Sequence, residues 1–151
     1  MPATISRLAD FLPYLLSVTS NAVSGKIAGE YESRFGLKIP EWRVMAVLGD
    51  AGSLTQRDLV GATLMDKVAV NRACKVLEQR GLATRSPNAS DGRSHHLELT
   101  QAGSAMHGEI MAIALDMESR VFSALSSDER RDFKAMLGRL RSQVQSMDVP
   151  A

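Results

Sequence analysis

Lys67, Asn71, Arg72 and Lys75 fall at spacings that collect them on one side of a helix, while Val70, Cys74 and Leu77 collect on the other. Arginine and asparagine can form paired hydrogen bonds with guanine and adenine edges. Lysine serves phosphate, and Val68 or Ala69 can meet a thymine methyl group. An ordinary solvated helix presents the same kind of basic face, so that stretch alone does not decide its use. The segment Pro87–Thr100, PNASDGRSHHLELT, adds a second element. It opens with turn formers and ends in strand-like alternation. A hairpin beside a recognition helix places a basic residue along the nucleic-acid backbone or in the minor groove. Arg93 takes that place, with Asp91 bracing its guanidinium or capping the turn. The candidate DNA-binding residues are Lys67, Val68, Asn71, Arg72, Lys75, Asp91 and Arg93.

Other chemistries find less support. His95 and His96 are neighbours, so on a strand they face opposite sides and cannot chelate one ion together. His107 is remote in sequence, and no cysteine pair or His-x-x-x-His motif supplies metal ligands. No metal or cofactor is expected. A helical enzyme built on His95, His107 or Glu98 lacks a nucleophile–base arrangement and a glycine-rich phosphate loop; the chain is not expected to be an enzyme. Cys74, the single cysteine, lies on the apolar stripe and reads as a small core hydrophobe. A redox role remains an alternative, and it requires an exposed thiol of depressed pKa. Use of the fold purely for protein interaction is a third class, one without salt-sensitive DNA binding.

The elements that must position these residues are legible in outline. The 151 residues suit one chain-length domain of mainly α class with a small β wing. Residues 4–34 follow a helical period through Leu8, Leu12, Leu15, Leu16, Val23 and Ile27. Pro13 either opens the main helix or kinks it, and Gly36 is a C-cap. A second helix starts at Pro40 and is expected to stop at Gly49 and Gly52. Thr55 and Asp58 have capping-box spacing ahead of a short helix. A break at Leu64–Asp66 leads into the helix Lys67–Arg80, ended by Gly81. Residues 82–86 and 94–99 are the strand candidates, and 87–92 the loop between them. Thr100 can cap a long helix with Met106, Ile110, Ile113, Met117 and Val121. Ser126 or Ser127 caps a last one with Phe133, Met136, Leu140, Val144 and Met147. The end helices carry more apolar surface than a small middle domain can cover, so a second copy is the expected partner.

The formal net charge of +1 conceals a split. Residues 66–96 hold six basic against three acidic side chains, and residues 109–132 hold the reverse. A polyanion would suit the middle only. No apolar run spans a bilayer and no signal-peptide layout opens the chain, so the expected address is the cytoplasm.

With the elements placed, the sequence resembles the MarR family of winged helix-turn-helix regulators. The resemblance rests on Leu77-Glu78-Gln79-Arg80-Gly81-Leu82, Arg85, Asp91-Gly92-Arg93, and Leu99-Thr100-Gln101-Ala102-Gly103. These motifs cover roughly residues 55–107, and the helix order covers the whole chain. The resemblance implies a single chain of residues 1–151. Its winged helix-turn-helix DNA-binding region is 40–100, flanked by helical dimerisation regions at 4–36 and 101–147. It implies a homodimer on a palindromic double-stranded operator, with recognition helices in successive major grooves. The wing arginine role falls to Arg93, braced by Asp91. Leu64 departs from the turn glycine of many helix-turn-helix motifs and argues for a somewhat different turn.

Many proteins similar to this one release DNA when a small, often phenolic, carboxylate binds between the dimer helices and the winged helix. Transferred here, the candidate ligand-binding residues are Tyr14, Ser17, Asn21, Trp42, Arg43, Met45, Met65, His107 and Met111. Trp42 and Tyr14 could stack on an aromatic ring, and Arg43 or His107 could meet its carboxylate. The same residues also read as core, surface and gap-filling positions. Cysteine-based oxidant sensing occurs in some similar proteins through a thiol near the N-terminus, which Cys74 is not.

Overall fold

The computed structural model describes residues 7–88 and 91–147, with the side chains at 88 and 91–94 outside the description. A single 3-10 turn, Leu8–Asp10, precedes helix α1, Leu12–Phe35. Of the two options for Pro13, the helix takes the first: it begins at Leu12, with the proline in its first turn, where a missing N–H costs nothing. Gly36 ends α1 at φ 69°, a left-handed cap that glycine adopts without strain.

Helix α2, Ile39–Ala51, runs through Gly49 rather than stopping there, and Gly52 caps it. The reason lies far away in sequence. A β-carbon on Gly49 would overlap the imidazole of His107, so the glycine makes room for a side chain instead of ending a helix.

The helix-turn-helix follows. A two-residue strand β1, Leu54–Thr55, leads into α3, Gln56–Thr63. The capping box forms as its spacing predicts. The Asp58 amide donates to the Thr55 hydroxyl (3.1 Å) and the Thr55 amide to the Asp58 carboxylate (3.1 Å). Those bonds hold the Asp58 carboxyl below its ordinary pKa. Leu64 closes α3 at φ 57°. Helix α4, Lys67–Gln79, starts three residues later, its first turn capped by the Asp66 carboxylate, which accepts from the Ala69 amide at 2.8 Å. Gly81, at φ 71°, turns the chain out of α4, and the Leu82 amide returns to the Leu77 carbonyl at 2.8 Å.

Strands β2, Ala83–Asn88, and β3, Asp91–Leu99, form an antiparallel hairpin, and β1 pairs with the other side of β3. In the register Leu54 faces Leu97, and Arg85 faces Leu97 from the opposite side. The strands extend beyond the expected 82–86 and 94–99 because Pro87 pairs within β2. That strand is a sheet edge, where the absent N–H removes no inner ladder bond.

Thr100 ties this hairpin to helix α5, Gln101–Val121. Its hydroxyl accepts from the Gly103 amide (3.1 Å) and donates to the Gly81 carbonyl (2.7 Å). Gly103 sits against the Leu82 carbonyl so closely that any β-carbon would overlap it. After a 3-10 turn at Phe122–Ala124, helix α6 spans Ser127–Met147. Ser126, not Ser127, is its cap: its amide donates to Glu129 (2.9 Å) and its hydroxyl accepts from the Glu129 amide (3.1 Å).

The chain divides into two compact units, Met1–Leu115 and Asp116–Ala151. The first holds a core in which Val44, Leu48, Leu59, Val70, Leu77 and Leu97 are buried. The second contains a tilted Phe122–Phe133 pair, 6.1 Å between centroids. Each unit also exposes apolar side chains: Leu12, Tyr14 and Leu16 on α1, and Met136, Leu140, Val144 and Met147 on α6. Among the described residues no helix is long and apolar enough to cross a membrane.

Candidate nucleic-acid interface

Helix α4 is sharply two-faced. Val70, Ala73, Cys74 and Leu77 are buried, whereas Lys67, Val68, Arg72 and Lys75 are exposed and Asn71 is half-buried. The apolar residues pack into the core, so the polar face turns outward without needing any charge of its own to orient it. All five sequence-predicted helix residues therefore lie on one exposed helix, within its first three turns. Asp91 and Arg93 have their backbone at the start of β3, at the far end of the wing. Their side chains lie outside the described residues, so the predicted Asp91–Arg93 brace does too.

Residues that carry the family resemblance, but to which the sequence assigns no contact with this helix, hold it in place. At its end, the Arg80 Nη2 donates to the Phe35 carbonyl at 2.7 Å. Arg80 thus serves one of the four orphan carbonyls that close α1. Two residues earlier, Glu78 accepts a 2.8 Å bond from Arg85 Nε, joining α4 to β2 of the wing. Gly81 and Leu82 take bonds from the Thr100 hydroxyl and amide respectively. Helix α4 is therefore pinned to α1, to the wing and to the start of α5 by residues from one short turn. Their signal in the sequence was present but ambiguous. Charged residues after a helix read as a solvated C-terminus until the carbonyl or carboxylate they meet is known.

Cys74 is buried at the centre of the inner face. Burial pushes its thiol up to about 11 from 9.0. A thiol in that state is neither exposed nor ionised at neutral pH, the opposite of what a reactive cysteine requires. His95 is exposed on β3, and His96 is half-buried opposite Thr55 and Ser86. Among the described residues no three His, Cys, Asp or Glu side chains gather where they could hold a metal ion.

Of the nine candidate ligand residues, the structure brings together Trp42 and His107, whose ring centroids are 5.8 Å apart. Tyr31, which was not predicted, extends the group: its ring lies 5.7 Å from Trp42. Its position, four residues after Ile27 and four before Phe35, carried the helical signal of a buried side chain. Burial pushes the Tyr31 hydroxyl up to about 12. Met45 is fully buried in the core, and Met65 and Met111 are half-buried. Tyr14, Ser17, Asn21 and Arg43 are exposed.

This arrangement has known counterparts. The model of the MarR family matches residues 35–94, a span that runs from the end of α1 into the wing. The HTH-type transcriptional repressor Rv2887 of Mycobacterium tuberculosis (strain ATCC 25618 / H37Rv) is 29% identical over 137 residues, covering 89% of this chain and 98% of that protein. The MarR family transcriptional regulator SPO1453 of Silicibacter pomeroyi DSS-3 is 29% identical in sequence and similar in structure, with a TM-score of 0.76 over 95% of this chain and 99% of that one. The MepR–DNA complex of S. aureus matches with a TM-score of 0.77 at 26% identity, covering 87% of this chain and 96% of that one.

Proposed function

We propose that the chain is a member of the MarR family of DNA-binding transcriptional regulators, to which its residues 35–94 and its overall likeness to Rv2887 and SPO1453 point, and that it acts as a homodimeric repressor of a palindromic operator, released by a small aromatic acid. The observation that carries the DNA-binding mode is the two-faced helix α4. A buried apolar stripe fixes its roll, leaving Lys67, Val68, Asn71, Arg72 and Lys75 on the side away from the core. In this reading Asn71 and Arg72 contact base edges, Lys67 and Lys75 contact phosphates, and Arg93 enters the minor groove from the wing.

The dimer reading is supported by the apolar side chains left exposed on α1 and on α6. Water against so many leucine, methionine and valine side chains is unfavourable, and a second copy would cover them. The effector reading rests on the Tyr31–Trp42–His107 group. A planar ring can stack on Trp42, and His107 or Arg43 can meet a carboxylate. Cys74, buried and with its thiol pKa raised, favours the small-molecule reading over the redox one.

The deciding experiment is a binding titration on a duplex that the protein selects from a random-sequence library, repeated across salt concentrations. Affinity should fall linearly on a log–log plot, by roughly 0.9 log units per log unit of salt for each phosphate neutralised. Arg93→Ala should weaken binding and flatten that slope while the dimer stays folded. Salt-independent binding, or an unchanged affinity for Arg93→Ala, sinks the proposed DNA-binding mode. For the effector, Trp42 is the only tryptophan, so its emission reports on the site directly. An aromatic acid that quenches it must bind free protein more tightly than the DNA complex, by the same factor by which it weakens DNA.

A further inference from the structure

Leu64 is misplaced by both of the rules that ordinarily decide where a leucine goes. Among the described residues it is the only non-glycine with a positive φ, at 57°. Its side chain is also 83% exposed. The left-handed conformation costs a residue with a β-carbon roughly 1–2 kcal/mol relative to the right-handed one. An exposed leucine recovers none of that through burial. Glycine would satisfy the same turn, in which the Leu64 amide closes α3 on the Val60 carbonyl at 3.1 Å. Neither the turn nor the core uses the isobutyl group.

Its location suggests what does. Leu64 lies two residues ahead of Asp66, the N-cap of α4, at the end of the helix that carries Lys67 and Val68. Val68 is a second large apolar side chain left in water there, 60% exposed. The N-terminal residues of a recognition helix are those that meet base edges. In the major groove the one strongly apolar feature of a base pair is the 5-methyl group of thymine. We propose that Leu64 is a specificity-determining residue: together with Val68 it packs on thymine methyl groups in the major groove. The assignment rests on α4 being the recognition helix.

The test compares wild type with Leu64→Gly on the duplex the wild-type protein selects, each thymine replaced in turn by deoxyuridine. Deoxyuridine keeps every hydrogen bond and lacks only the methyl group. At one thymine per half-site, wild type should lose about threefold to fourfold in affinity, the worth of one buried methyl. Leu64→Gly should lose most of the penalty at one thymine that wild type shows, any remainder belonging to Val68, and should melt no lower than wild type, since the left-handed turn is relieved. Two results overturn the proposal: no thymine whose replacement weakens wild type, or deoxyuridine penalties that are all undiminished in Leu64→Gly. Asn71→Ala and Arg72→Ala separate the two levels of failure. If they weaken binding while Leu64→Gly loses nothing, only the role of Leu64 falls. If they too leave binding intact, α4 is not the recognition helix.

Discussion

The guanidinium of Arg80 donates to the carbonyl of Phe35 at 2.7 Å, so the residue that follows α4 also finishes α1. Residues 45 positions apart are joined by a bond between two helix C-termini. The bond links the ends of α1 and α4 directly, with no loop between them. Arg80→Ala should lower stability by about 1 kcal/mol, the net worth of such a bond, and should weaken operator binding as α4 loses one of its supports. Thermal melting and fluorescence anisotropy measure the two effects. A loss of affinity with no change in melting would make Arg80 a phosphate contact instead of a strut.

The Glu78–Arg85 pair holds the wing to α4 at 2.8 Å. Both side chains are partly exposed, so the pair is worth roughly 0.5–1 kcal/mol at most. Glu78→Gln and Arg85→Gln should each weaken DNA binding, and the double variant should lose less than the sum. The reversed pair, Glu78→Arg with Arg85→Glu, should recover part of the loss. Strict additivity in this cycle would mean that the wing keeps its place without the pair.

Gly49 is where α2 yields to His107. Gly49→Ala should displace the imidazole from Trp42 and cost about 1–3 kcal/mol, as overpacking in a tight contact does. The emission of Trp42 should shift with it. Adding His107→Ala should restore much of the stability by emptying the space. A Gly49→Ala protein with unaltered emission would place the His107 ring elsewhere.

The Cys74 thiol is raised from 9.0 to about 11 by burial. A raised acid pKa means that the folded state keeps a proton the unfolded chain releases. The stability tied to it is fully present below pH 9 and is lost as pH rises from there toward 11. Native protein at neutral pH should resist alkylation by iodoacetamide and become reactive in urea. Cys74→Ser should show a smaller fall in stability across that alkaline window. Stoichiometric labelling of the native protein with loss of DNA binding would return the redox reading.

Local chemistry was the legible part of this sequence. Thr55 and Asp58, Gly36 and Thr100 cap or close elements where their spacing indicates, and Ser126 proves to be the cap of the two serines offered for α6, because a cap is decided within four residues. The α4 stripe of Val70, Cys74 and Leu77 was equally plain, since amphipathic periodicity is a local count. What escaped depends on distant partners. Strand β1 has two residues, and only Leu97 and His96, some forty positions on, make it a strand. Gly49 looks like a helix stop until His107 arrives beside it. Tyr31 looks like any helix residue until Trp42 is packed against it. The candidate site divides the same way. The outward face of α4 was readable, whereas the bonds from Arg80, Arg85 and Thr100 that fix its pose were not.

The sheet has two free margins, and each is spoiled for further growth. On one side β1 ends after two residues; on the other, Pro87 withdraws a backbone donor from β2. A hairpin projecting from a protein is ordinarily a template on which a neighbour can add a strand, the first step toward aggregates. Pro87 on this edge therefore disfavours strand addition, and Pro87→Val should form soluble oligomers or fibrils that wild type does not.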